Sequence, residues 1–149
     1  MTSRNYWIGV ISRSHVQIGV AGGFIQLNHG KKAPVQRLRA GDALAIYSPR
    51  TEHPDGGLLQ SFTAIGIVST GHLYQVEMAP NFKPYRVKVE FMKCEEAPIK
   101  PLIERLSFIK SKTHWGAAFR FGLLKVPAVD FLLIAKAMGC ESAFAQNAL

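Results

Sequence analysis

The chain has 149 residues, 48% hydrophobic and 19% charged, with 18 Lys+Arg against 10 Asp+Glu and a formal net charge of +8. That length suits one domain able to bury roughly two thirds of its unfolded surface, and the apolar share excludes a disordered chain. Excess positive charge attracts polyanions. No apolar run approaches the ~18 residues of a membrane span, and no charged start followed by an apolar stretch marks an export signal.

NYWIGVIS, residues 5–12, is compact, apolar and aromatic, and predicts a buried first strand. SRSHVQIGVAGG follows as a short helix, with Ser14 and Gln17 at capping-box spacing and Gly22-Gly23 to stop it. FIQLN, 24–28, alternates like a short strand or extended loop. Pro34 fits the first position of a helical turn, APVQRLR, that Gly41 ends. ALAIYS, 43–48, is a strand, and TEHPDGG, 51–57, an exposed loop.

QSFTAIGIVS is nearly all apolar and suits the centre of a sheet; Gly71 turns the chain into HLYQVEM. RVKVEFM alternates, with Val87, Val89 and Phe91 on one face and Arg86, Lys88 and Glu90 on a solvated one. PLIERL predicts a short helix begun by Pro101. PAVDFLLIAKAMG predicts a helix between Pro127 and Gly139, and the tail ESAFAQNAL is expected to fray. With neither repeats nor linker, the pattern predicts a single α+β, barrel-like domain.

Catalytic signatures are sparse. There is no GxSxG, HExxH or GxGxxG, and the histidines at 15, 29, 53, 72 and 114 are scattered. GIVSTGH, 66–72, has the glycine spacing of a phosphate loop but no following lysine, and reads as a strand and turn. Three aspartates supply a paired-carboxylate or two-metal site poorly. Cys94 and Cys140 lie in no CxxC and near no histidine at metal spacing. They read as free thiols of a reducing cytoplasm, with no metal and no cofactor expected.

The charge is uneven. Residues 1–50 carry seven basic side chains against Asp42 alone, and residues 101–125 carry five against Glu104. Aromatics are interleaved: Tyr6-Trp7, Phe24, His29-Lys31-Lys32, Tyr47-Arg50 and Trp115…Phe119-Arg120-Phe121. Cations neutralise phosphates and flat rings take up unstacked bases, so this pairing points to nucleic acid. Each residue has a second reading. Trp7 in an apolar strand reads as core, Tyr47 as a barrel cap, His29 as a loop anchor, and Lys31 and Lys32 as a solvated face. If strand alternation holds at 119–121, Phe119 and Phe121 point one way into the core and Arg120 the other.

In NYWIGV, HGKKAPVQRLRAGDALAIYSPR, QSFTAIGIV and SFIKSKTHWGAAFRFGLLKV the sequence resembles the EVE domain family of the PUA-like group, related in fold to the YTH domains that read methylated RNA. The likeness covers about residues 4–138, leaves 139–149 as a tail, and suits a single-domain prokaryotic form, expected to be a monomer. It implies a small closed mixed β-barrel with short helices packed around it. It also implies a pocket for a modified base, bordered by Asn5, Trp7, Phe24, Gln26, Asn28, His29, Tyr47 and Ser48, with Trp115 and Arg120 in the last block. Lys31, Lys32, Arg37, Arg39 and Arg50 would form its phosphate-binding rim. The expected function is non-enzymatic binding of RNA or DNA through a modified, for example methylated, base. A nucleobase-like small-molecule sensor and an enzyme on modified nucleotides using His29 are the alternatives.

Overall fold

The computed structural model describes residues 4–145, without the side chain of residue 145. The tail expected to fray from residue 141 instead forms helix at Ser142–Ala145 with Phe144 fully buried in the core, and 146–149 lie outside what is described. The elements run β1 (Tyr6–Val10), α1 (Arg13–Gly22), β2 (Phe24–Ile25), α2 (Lys32–Gln36), β3 (Ala43–Arg50) and β4 (Leu58–Val68). They continue with β5 (Tyr74–Gln75), β6 (Tyr85–Phe91), β7 (Ala97–Pro98), β8 (Leu123–Lys125), α3 (Ala128–Ala137) and α4 (Ser142–Ala145). Short 3-10 turns occupy Asn28–Gly30, Lys100–Leu102 and Trp115–Phe119.

One mixed sheet runs β2-β6-β4-β3-β1-β8, with β5 beside β6 and β7 beside β4. β1 and β3 are parallel, joined by the crossover through α1, β2 and α2; the other pairs are antiparallel. The apolar run QSFTAIGIVS falls in β4, which is indeed central, paired to β3 on one side and to β6 on the other. Two bulges bend the β3–β4 hairpin. Tyr47 faces Phe62 while Ile46 faces Ala64, so Thr63 is the extra residue, and a second shift falls between Ser48 and Arg50. Bulges raise local twist and curl a sheet.

The expected closed barrel does not form. The sheet curls into a half-barrel that stays open between β2 and β8. Both edges are short, two and three residues. FIQLN is strand only at Phe24–Ile25, because the chain then turns left-handed at Asn28 (φ 47°), His29 (φ 60°) and Gly30 (φ 84°), which ends any ladder. Across this seam the Asn28 Nδ2 donates to the Phe121 carbonyl at 3.3 Å.

Strand alternation sorts the core into two clusters, one on each face. Tyr6, Ile8, Ala43, Ala45 and Tyr47 pack with Phe62, Ile99, Leu106 and the buried side of α3, Phe131 and Ile134. Trp7, Leu44 and Ile46 pack with Val16, Ile25, Leu27, Val35 and Val87.

Local details differ from the expectations. α1 begins after Ser12 with no side-chain cap bond, so the Ser14–Gln17 box is not made; Gly23 (φ 72°) ends it as expected. Of HLYQVEM only Tyr74–Gln75 is strand, and PLIERL gives a 3-10 turn at Lys100–Leu102. Where strand alternation was expected over 119–121, a 3-10 turn ends at Phe119 and runs on into a turn at 120–121, so Phe119 is buried while Phe121 is 79% exposed. Among the described residues no helix is long and apolar enough to cross a membrane.

Candidate nucleic-acid interface

Parallel pairing of β1 with β3 fixes which residues meet. Val10 lies beside Tyr47, so residues 10–12 and 47–50 gather at one end of the sheet, while Tyr6 and Ala43 mark the other. At the first end, across the open seam, lies a cleft of about 680 Å³. Val10–Ser12 and Pro49-Arg50 form its base, and α1 contributes His15 and Ile18. β2 and the left-handed turn bring Phe24, Gln26, Asn28 and His29, and residues 119–122 close the far side.

The lining is cationic. Lys31, Arg50, Arg86 and Arg120, with His15, His29 and His53, face the cleft, and among the described residues neither Asp nor Glu lines it. Clefts lined by one sign of charge focus the field and concentrate counter-ions. Among the described residues the only ion pair, Arg13 with Glu96, lies elsewhere. The rim is apolar: of the large hydrophobic side chains left exposed, Ile18, Met78, Phe82 and Phe121 all border this cleft.

Its geometry rests on two devices. The left-handed turn, whose Gly30 leaves no room for a Cβ against Pro84, carries the His29 ring to 5.4 Å from that of His53. Beside β2, Arg86 lies 3.8 Å over the Phe24 ring, and its Nε donates to Gln26 Oε1 at 3.0 Å.

The expected pocket residues divide. Phe24, Gln26, Asn28, His29, Lys31, Arg50 and Arg120 do line the cleft. Trp7 does not: it is 4% exposed in the core, donating from Nε1 to Asp42 Oδ2 at 2.9 Å beneath Arg37, 4.9 Å from its ring. Asn5 joins it at that far end, its backbone N–H donating to Asp42 Oδ1 at 3.1 Å. Arg39 also gives its N–H to Asp42 Oδ2, so Arg37 and Arg39 stand away from the cleft. Lys32 lies 5.9 Å over Tyr85 and is not part of the lining either. Ser48 is fully buried, bonded to the Ile11 carbonyl (2.6 Å) and to Thr63 Oγ1 (2.7 Å).

The family model of the EVE domain matches residues 5–137. The chain belongs to the EVE domain family. Similar proteins include the UPF0310 protein YdcG of Bacillus subtilis (strain 168), 50% identical over 135 residues, covering 91% of this chain and 92% of that one. A UPF0310 protein of Mycobacterium avium (strain 104) is 48% identical over 132 residues, covering 89% and 96%. The same fold occurs in the crystal structure of Atu2648 from Agrobacterium tumefaciens, with TM-score 0.56 at 13% identity and coverage of 92% and 94%. It recurs in the NMR structure of Rpa0253 from Rhodopseudomonas palustris, with TM-score 0.53 at 18% identity and coverage of 91% and 93%.

In this EVE domain Tyr47 and Trp115 border a second depression of about 380 Å³, which shares Val10, Pro49, Phe119 and Arg120 with the cleft. Tyr47 stacks on Phe119 (4.4 Å between centroids) and meets Trp115 edge-on at 6.4 Å. Burial pushes its phenol up to about 12, so it is neutral at physiological pH and no base there. Cys94 and Cys140 are free; burial raises both thiols, Cys140 to about 11, so neither is a ready nucleophile. Among the described residues no three His, Cys, Asp or Glu groups stand as a metal site.

Sequence reasoning missed His15, His53, Met78, Phe82, Arg86 and Phe121 at the EVE cleft. In the sequence Arg86 showed only as part of the solvated face of RVKVEFM, and it is the β2–β6 register that brings it to the cleft. Phe24 stands opposite Lys88, which makes Arg86 its diagonal neighbour on the same face.

Proposed function

We propose that this chain is a non-enzymatic nucleic-acid-binding module that holds an unstacked base of RNA or DNA in the 680 Å³ cleft. The observation that carries this reading is a lining with four cations and no carboxylate beside an exposed apolar rim. Such a surface suits a ligand that is both anionic and flat. Unstacking a base costs a few kcal/mol, less in a single strand, and stacking in a protein slot returns about 1–3 kcal/mol. A methyl group on the base would rest on the apolar rim, worth about 0.8 kcal/mol.

Non-enzymatic binding is supported by the histidines' surroundings: no carboxylate lines the cleft to orient one as a base. Ser12, which supplies the hydroxyl of the described lining, has its Oγ buried and bonded to no histidine.

Lys31, Arg50 and Arg120 are exposed and supply the phosphate contacts. Three phosphate contacts give log K against log salt a slope of about −2 for single strands and about −2.7 for duplex. Fluorescence anisotropy with plain and methylated oligonucleotides across a salt series measures it. Arg120→Ala should reduce the single-strand slope by about 0.7, and Arg39→Ala should leave it unchanged. A slope near zero in the native protein overturns the reading. A free nucleobase that raises Tm while oligonucleotides do not would instead support the sensor reading, which a cleft of small-molecule size also accommodates.

A further inference from the structure

We infer that the depression bordered by Trp115 seats a second nucleotide, the neighbour in the strand of the one held in the cleft; this rests on the nucleic-acid-binding reading above. The depression measures about 380 Å³, within the range of pockets that hold small ligands. It is continuous with the cleft, because Val10, Pro49, Phe119 and Arg120 line both. Its own far side is made by Gln60 and the segment from Thr113 to Gly116. Among the described residues no carboxylate lines it.

Two successive nucleotides are flat rings joined by an anionic linkage, and the surface repeats that order. Arg120, exposed and paired with no carboxylate among the described residues, stands on the shared wall, where the linking phosphate would pass. Its neighbour Phe119 is buried and stacks on Tyr47 at 4.4 Å, which fixes the backbone that carries the arginine. Trp115 lies beside that stack, with ring centroids 6.4 Å from Tyr47 and 6.5 Å from Phe119 and planes tilted by 85° and 78°. It is half-buried and lines the depression, so it keeps indole surface for a base. An aromatic platform takes any base, because every base has a π-face. The turn that presents Trp115 is braced: the His114 N–H donates to Ser111 Oγ at 3.2 Å, and Thr113 Oγ1 lies 3.1 Å from His114 Nδ1. Trp7, the other tryptophan, is 4% exposed and bonded to Asp42 at the far end of the sheet, so a change in indole emission on binding reports Trp115.

The test uses unlabelled hexanucleotides whose abasic backbone carries either one central base or two adjacent central bases, each an equal mixture of the four. The phosphates are then the same in both probes, and affinities are read by competition with a labelled oligonucleotide. The two-base probe should bind about fivefold or more tighter and should change the indole emission. Trp115→Ala should remove both the gain and the emission change, while affinity for the one-base probe and the salt slope persist. Gly116→Asp, whose Cβ meets nothing within 4 Å, adds a carboxylate to the depression without a clash and should also remove the gain. If the two-base probe binds no tighter than the one-base probe, leaves the emission unchanged, or keeps its gain in either variant, this inference is wrong and the binding reading stands. If neither probe nor a longer natural oligonucleotide binds, both fall.

Discussion

Asp42 shows how one buried side chain can decide a site by occupying its neighbours. It accepts from the Asn5 N–H, the Trp7 indole and the Arg39 N–H, and so commits Trp7 to the core. A tryptophan beside arginines looks identical in sequence whether it stacks on a ligand or serves a carboxylate. Trp7 and Tyr47 were expected to share a pocket, but each obeys its own strand's alternation, which puts them on opposite faces. Tyr47 yields a prediction of its own. The folded state holds the phenolic proton to about pH 12, against about 10 for the unfolded chain. Its contribution to stability is therefore complete below pH 10 and lost as pH rises from 10 to 12. Cys140 adds a similar decline from about 9 to about 11. Thermal melts over this range should show Tm falling, and Tyr47→Phe should remove the part above pH 11.

At the level of elements, the central strands were legible because their signal is local. ALAIYS and QSFTAIGIVS announce buried strands by composition, and the helix over 128–137 by Pro127, Gly139 and its apolar run. The 119–121 segment was misread because three residues cannot separate strand from 3-10 turn, and the difference moves Phe121 from core to rim. The turn at Asn28–Gly30 was recognisable only as a histidine beside a glycine. Its three successive positive φ values follow from where it must deliver the chain. Gly30→Ala would place a Cβ 2.3 Å from that of Pro84 at φ +84°. Urea denaturation should show a loss of more than about 1 kcal/mol, and because the turn carries Asn28 and His29, oligonucleotide affinity should drop with it.

For the molecule as a whole, the family and the α+β class could be read from the sequence, whereas closure of the sheet could not. Pairing of β2 with β6, and the failure of β2 to meet β8, are long-range outcomes with no local mark. The same holds for the charge: Arg37 and Arg39 were grouped with Lys31 by proximity along the chain, yet α2 and the parallel register carry them to the far end of the sheet. Arg86 and Arg120, remote in sequence, take their place.

The unpaired seam has a mechanical consequence. Its two margins, the turn at Asn28 and the loop at Phe121, are both walls of the cleft, joined among the described residues by the Asn28 amide-to-carbonyl bond. A guest molecule would touch both margins and act as a splint between them. Amide hydrogen exchange at Leu123–Lys125 should therefore quicken in Asn28→Ala and slow again when an oligonucleotide is added, with the β3–β4 hairpin indifferent to both.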